Sequence, residues 1–311
     1  MEKLSLLIKE SYIYKALTIL FFKVSVSINP KYEINRNYYA RFKKNPNLDD
    51  PRNLIEKIYW LQLHTDTSLW SICADKYRMR EYVKEKGCEE YLPQILGVWE
   101  KPKMIEWEKL PRSFVLKTNN GCGTVLVVHD KNVFTEKSVK KKLKKWLSLP
   151  YGYSAYQPHY LKIRPCVLAE ELLIQDSYLN ELSTSIVDFK IWCLNGEVES
   201  CFVAYNRTRS ELFVDLYDSN WTRLLNCIQN SGMDRIAPDK AFPKPLCWEE
   251  MKWVAEKLSK PFPEVRIDFY IVNNKPIIGE MTFSSGYGYF TEDYYDYLGA
   301  KLDLSKQKVI K

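Results

Sequence analysis

Two segments near the C-terminal end carry carboxylates inside otherwise apolar, strand-like runs. Arg266-Ile267-Asp268-Phe269-Tyr270 alternates polar and apolar residues. After a turn at Asn273-Asn274 the chain returns through Pro276-Ile277-Ile278-Gly279-Glu280-Met281-Thr282-Phe283. Strand side chains repeat every two residues, so Arg266, Asp268 and Tyr270 share one face, with Glu280 and Thr282 able to occupy that face opposite them. An unpaired charge in an apolar strand is costly. Mg²⁺ in nucleotide enzymes takes one or two carboxylates plus substrate phosphates, so Asp268, Glu280 and Thr282 form a candidate metal site. A surface hairpin with solvated acids is the alternative.

Thr118-Asn119-Asn120-Gly121-Cys122-Gly123-Thr124 lies between two short apolar runs, Phe114-Val115-Leu116-Lys117 and Val125-Leu126-Val127-Val128. Its glycines let backbone amides approach an anion. The loop lacks the Gly-Lys-Ser/Thr ending of a Walker motif and opens no helix, which argues against a P-loop ATPase; a plain hairpin turn is the other reading. A third run, Pro165-Cys166-Val167-Leu168-Ala169-Glu170-Glu171-Leu172-Leu173-Ile174, reads as a buried strand. There Glu170 or Glu171 can accept the adenine amino group, and Leu172 and Leu173 offer backbone groups and an apolar slot.

These groups need a scaffold, and 311 residues at 46% apolar composition can bury a full-sized core. Leu54, Ile55, Ile58 and Leu61, then residues 74–83, recur at helical spacing and predict two helices, the second stopped by Gly87. Leu92-Pro93-Gln94-Ile95-Leu96-Gly97-Val98-Trp99 reads as a strand. Within residues 12–28 the run Ala16-Leu17-Thr18-Ile19-Leu20-Phe21-Phe22 is apolar, closely bracketed by Lys15 and Lys23. It is shorter than the roughly 20 residues of a membrane span, and predicts a helix packed on the body, with an interfacial helix as the alternative. Residues 29–50, with Pro30 and Pro46, read as a loop-rich connection. The basic run at 137–145 reads as a helix with a solvated face.

The order of these parts, Ala74-Asp75-Lys76, the Lys117 strand with its glycine loop, Glu170-Glu171, Arg266-Ile267-Asp268 and Gly279-Glu280-Met281-Thr282, resembles the ATP-grasp superfamily. More narrowly, Asp75-Lys76 with Arg80, Leu96-Gly97-Val98-Trp99, Asp188-Phe189-Lys190 with Asn195-Gly196, and Gly279-Glu280-Met281-Thr282-Phe283 look like the TupA-like ATP-grasp family of teichuronopeptide and capsule gene clusters. The resemblance runs from about residue 50 to 300.

It implies an α+β ATP-grasp fold with two α+β lobes clamping the nucleotide. The expected divisions are an N-terminal helical region (1–75), a small lobe with the glycine loop (76–168) and a large lobe with the adenine and metal sites (169–311). It also implies ATP and Mg²⁺ as cofactors. Lys76 and Lys117 would contact phosphates, residues 119–124 (Asn119, Asn120, Gly121, Gly123 and Thr124 among them) would close over them, and Glu170 or Glu171 would hold adenine. Asp268 and Glu280 would bind the metal. Arg266 would steady the intermediate, with Lys190 a further phosphate-side group. Many superfamily members carry Asn two residues after the second acid, where this chain has Thr282; that leaves the number of metals open.

The chemistry implied is ligation through an acyl phosphate, joining an amino acid or amine to a sugar acid of a surface polysaccharide. For the substrate, Arg207 and Arg209 can clamp a uronic carboxylate, and Ser284 and Ser285 with Gly286-Tyr287-Gly288-Tyr289 form a ligand loop. Tyr151, Tyr153 and Tyr156 could stack on sugar, though with 22 tyrosines core packing is the simpler account. The rival readings are a glycosyltransferase or sugar phosphotransferase, and a non-catalytic nucleotide-binding protein. Eight cysteines without a CxxC pair, and no signal peptide pattern, point to reduced thiols in a cytoplasm, with peripheral contact at the inner membrane an open alternative. The formal charge of +7 suits anionic ligands, and no nucleic-acid-binding pattern accompanies it.

Overall fold

A computed structural model describes residues 12–149, 151–153, 156–230, 232–237, 239–285 and 288–310, with the side chains of 12–19 outside the description. The chain opens with two helices, α1 (Tyr12–Ile28) and α2 (Pro30–Phe42). The expected loop over 29–50 is therefore largely helix. Pro30 sits in the first turn of α2, where proline's fixed φ suits a helix start and its missing N–H removes no bond. α1 does not sit flush on the body: Leu20, Phe21, Val24 and Ile28 are exposed. Among the described residues no helix is long and apolar enough to cross a membrane.

α3 (Leu54–His64) begins with a capping box in which Asn53 accepts from the Glu56 N–H and the Glu56 carboxylate reaches back. α4 (Ser68–Ala74) and α5 (Met79–Glu85) follow. The helical run expected from 74 is broken at Asp75, whose Oδ1 accepts from the amides of Tyr77 (2.9 Å) and Arg78 (3.2 Å).

The first sheet is antiparallel, in the order β1-β4-β2-β3: β1 (Ile95–Trp99), β2 (Phe114–Thr118), β3 (Val125–Val128) and β4 (Val167–Glu170). β3 pairs back on β2 as its pattern requires. β4 crosses the expected division at 168 and ends at Glu170, short of the strand expected through 174. α6 (Glu136–Leu147) buries Val139 and Leu143 and exposes most of its lysines, so its basic face is solvated. Phe114, Leu116, Val128, Val167 and Ala169 join these in a small core.

α7 (Pro158–Leu161) and α8 (Ser177–Leu182) lead into a six-stranded sheet of order β10-β9-β5-β6-β7-β8. Its strands are β5 (Asp188–Leu194), β6 (Glu197–Tyr205), β7 (Leu212–Asp218), β8 (Asp234–Ile236), β9 (Glu264–Val272) and β10 (Lys275–Thr282). Among the described residues only β7 and β8 pair in parallel. Two tight turns rest on residues that tolerate positive φ, Asn195-Gly196 and Asn273-Asn274. On one face Val265, Ile267 and Phe269 are fully buried together with Val254 and Leu258 of α9 (Trp248–Ser259). α10 (Glu292–Lys301) packs on α3, and the larger core spans these elements. The other face of β9 holds Arg266 and Asp268.

Candidate functional site

A bulge at Gly279 decides which acids meet. From the Asn273-Asn274 turn, Ile277 pairs with Tyr270 and Ile278 with Phe269; the next pairs are Glu280 with Asp268, Met281 with Ile267 and Thr282 with Arg266. The residue left over is Gly279. In an unbulged ladder Gly279 would pair with Asp268, and Glu280 would fall opposite Ile267 and turn to the apolar face. A Cβ on Gly279 would lie 2.9 Å from the Tyr270 ring, so the close approach wants glycine. On the other side of β9, β5 sets Lys190 opposite Asp268 and Trp192 opposite Arg266.

The result is a buried lattice of side-chain charges. Arg266 donates from Nε to Asp268 Oδ1 (2.6 Å) and from Nη2 to Oδ2 (2.8 Å). The same Nη2 lies 3.2 Å from both Glu280 Oε1 and Thr282 Oγ1. Behind it, the Trp192 ring centre is 5.4 Å from the guanidinium carbon, a cation–π distance. Lys190 Nζ is 2.5 Å from Asp268 Oδ2 and 2.5 Å from Asp188 Oδ2. Lys76 Nζ is 3.3 Å from Glu280 Oε2 and donates to the Gly121 carbonyl at 2.8 Å. Lys76 thus ties the glycine loop of one sheet to the carboxylates of the other.

Burial pushes the Glu280 carboxyl up, but Lys76, Arg266 and Lys190 together outweigh it and hold it well below the usual carboxylate range. Burial pulls Lys190 down, and Asp188 and Asp268 more than reverse it. Asp268 is raised by burial against the pull of Arg266 and Lys190.

In the glycine loop, Asn119 Oδ1 accepts from the Cys166 N–H (2.7 Å) and its Nδ2 donates to the Arg164 carbonyl (3.0 Å). Thr124 Oγ1 accepts from Thr118 Oγ1 (2.8 Å). Asn119 and Thr124 therefore hold the loop's base. Asn120 Oδ1 is buried with no hydrogen-bond partner among the described residues. Tyr151 lies against Gly121, where a Cβ would meet its ring at 3.3 Å, and Gly123 takes φ +70°.

At the end of β4, Lys117 Nζ is 2.5 Å from Glu170 Oε2, and Arg80 Nη1 is 3.8 Å from Oε1. Glu171 Oε1 accepts from the Gln94 N–H at 2.7 Å. Leu172 and Leu173 lie beyond the end of β4, and among the described residues their backbone groups join no ladder. The side-chain oxygen of Ser284 is buried with no hydrogen-bond partner among the described residues, and Ser285 is buried beside Glu264. Arg207 and Arg209 are exposed past the end of β6. Gly286 and Tyr287 lie outside the described residues.

The structure adds three groups that the sequence reading did not select: Asp188, Trp192 and Glu264. Asp188 and Trp192 have a register signal only once β5 is known to pair with β9. Glu264 lies on the same strand face as Arg266, two residues before it, which period-two counting could have found. It is fully buried, and burial pushes its carboxyl up to about 8 against the pull of Arg266 and Ser285.

Comparison with known proteins bears on the whole arrangement. Among solved structures, the chain is similar to D-alanine--D-alanine ligase from Bacillus anthracis complexed with ATP, at 14% identity and a TM-score of 0.43, covering 72% of this chain and 59% of that one. It is similar to D-alanine-D-alanine ligase from Helicobacter pylori at 16% identity and a TM-score of 0.43, covering 80% and 69%. It is similar to the ATP-grasp ligase PsnB complexed with a minimal precursor at 9% identity and a TM-score of 0.37, covering 69% and 53%. The chain thus spans 59% of the length of the first of these. No curated protein matches it. The family model described as TupA-like ATPgrasp matches residues 56–303. That match takes in both sheets and every charged group of the lattice, and the chain belongs to the TupA-like ATP-grasp family, with the α+β ATP-grasp fold.

Proposed function

We propose that the protein is an ATP-dependent carboxylate–amine ligase that joins an amino acid or amine to a sugar acid during synthesis of a bacterial surface polysaccharide. The observation that carries the reading is the charge lattice: Asp268 and Glu280 share one guanidinium, and Lys76 bridges Glu280 to the glycine loop. Apart from Lys76, which also donates to the Gly121 carbonyl, these charges are matched by other side chains, so a nucleotide can take over cations with little loss of backbone bonds.

The donor set fits Mg²⁺. Two carboxylates on facing strands, with the Thr282 hydroxyl beside them, offer the one or two acids that this ion takes alongside phosphates. Among the described residues no cluster of three or more His, Cys, Asp or Glu is present, so substrate oxygens and water would complete the shell. When bound there, Mg²⁺ neutralises charge on the phosphates.

The chain's own residues do the rest. Lys76 and Lys117 bind phosphate oxygens, the 119–124 loop covers them with backbone N–H groups, and adenine lies against Leu172-Leu173 with Glu170 or Glu171 accepting from its amino group. The acid's carboxylate attacks the γ-phosphorus and the bond to ADP breaks. The amine nitrogen then attacks the acyl carbon, inorganic phosphate leaves, and the amine gives up a proton. Arg266 and Lys190 face the transferring phosphoryl oxygens, and positioning supplies most of the rate. Arg207, Arg209, Ser284 and Ser285 hold the sugar acid.

The test is ADP and phosphate release across a panel of uronic acids and amino acids, with product mass determined. The reading requires release only when acid and amine are both present, with an amide product. A phosphorylated sugar, or release of a nucleoside diphosphate from a sugar nucleotide, would sink it.

A further inference from the structure

The N-terminal hairpin lies before residue 56, where the family match begins, and it is chemically unlike the rest of the chain. Residues 12–48 contain seven lysines and arginines against one acid, Glu33, and so carry +6 of the chain's formal +7. Glu33 is buried, with its carboxylate on Arg36 (2.7 Å) and Ser25 (2.9 Å). The hairpin therefore presents no free acid.

The same hairpin exposes apolar surface. Leu20, Phe21, Val24 and Ile28 are 57%, 53%, 47% and 79% exposed. At 3.6 residues per turn these four fall within an arc of about 100° on α1. Lys23 is exposed near the edge of that arc, and Lys31 and Tyr32 are exposed at the start of α2. An apolar stripe bordered by lysines is the pattern of a helix lying in a membrane interface, where buried apolar area and attraction to anionic headgroups act together.

The hairpin is tied to the body through Tyr38, which meets Asn53 (2.7 Å) and Glu56 (3.3 Å), through Lys23 over the Tyr153 ring (5.6 Å), and at its C-terminal end through three further contacts. Arg41 donates to the Gly288 carbonyl at 2.7 Å, Lys44 pairs with Glu292 at 2.5 Å, and Phe42 packs edge-on against Tyr295 at 5.7 Å. These three end contacts hold it against the segment that follows Thr282 and Ser285.

We propose that the α1–α2 hairpin docks this protein on an anionic lipid bilayer through the stripe of Leu20, Phe21, Val24 and Ile28, with its lysines against the headgroups. Docking brings the segment after Thr282 toward the lipid surface. For the ligase reading, on which this last step rests, that selects an acceptor carried on a lipid.

The test is flotation of the full chain, without nucleotide, with phosphatidylcholine vesicles and with vesicles of about one third phosphatidylglycerol. The native chain should float with the anionic vesicles and not with the neutral ones. Phe21→Glu with Val24→Glu should lower the bound fraction by at least about tenfold. Lys23→Gln with Lys31→Gln should lower it by about fivefold per lysine and flatten its salt dependence. These four side chains are exposed, so both variants should melt with the native chain. Failure of the native chain to float overturns the proposal, as does binding that both variants retain. A dimer that Phe21→Glu with Val24→Glu splits also overturns it by giving the stripe another occupant, as does loss of binding on removal of residues 1–11, which would assign the binding to another segment. Because no ATP is present, these outcomes stand apart from the fate of the ligase reading.

Discussion

Two Arg–Asp pairs have their aspartates buried in the same six-stranded sheet and are built in opposite ways. Arg223 binds Asp215 at 2.7 Å and also donates to the carbonyls of Ala237 and Lys240, while Asp215 accepts from the Tyr217 hydroxyl (3.0 Å) and the Phe242 N–H (3.3 Å). That pair is tied to backbone and staples the 234–242 segment to β7. Arg266 and Asp268 are instead shared among Glu280, Thr282 and Lys190. A pair fixed to backbone cannot change partners without unfolding something. A pair fixed to other charged side chains can exchange them for a ligand's charges at little structural cost. The difference separates a structural ion pair from a site on one sheet, by what each charge touches rather than by burial.

The comparison breaks most sharply under charge removal. Asp268→Asn with Glu280→Gln should lower ATP-dependent turnover on the order of a thousandfold while the melting curve stays cooperative, as measured by ADP release and circular dichroism. Arg223→Met should do the reverse. It leaves Asp215 buried without its cation, so stability falls by about 3 kcal/mol in urea titration, with ATP affinity of the folded fraction unchanged.

Glu264 sharpens the contrast through pH. Its ordinary pKa is 4.5 and its folded value about 8. Below 4.5 both states hold the proton; above it the unfolded chain releases the proton first, so the folded state loses ground as pH rises toward 8. Glu264→Gln should therefore match the native chain near pH 4 and gain on it steadily up to pH 8. Smallest is Thr282→Ala, expected to weaken apparent Mg²⁺ affinity by about tenfold with little change in melting temperature.

Much of this site was legible in sequence because its signals are local. Period-two alternation put Arg266 and Asp268 on one face, two asparagines marked the turn, and Gly121 and Gly123 marked the tight connection between β2 and β3. What escaped was set by context. Pro30 looks like a breaker until it is seen at a helix start, where its missing N–H does not matter. The end of β4 at Glu170 depends on where β1 and β2 stop pairing with it. The bulge at Gly279, which turns Glu280 toward Asp268, depends on the Tyr270 ring across the ladder. Asp188 shares a strand face with Lys190 by period two, and only the pairing of β5 with β9 sets that face against Asp268. Asn119 and Thr124 have the types of phosphate ligands, yet their side chains bind Cys166, Arg164 and Thr118, contacts that sequence spacing does not reveal.

The most direct test of the exchangeable lattice is calorimetric titration of ATP into the native chain with and without Mg²⁺. The account predicts binding that Mg²⁺ strengthens markedly, and that Asp268→Asn with Glu280→Gln reduces to the metal-free level. Absence of ATP binding by the native chain, or binding indifferent to Mg²⁺ and to both substitutions, would contradict it.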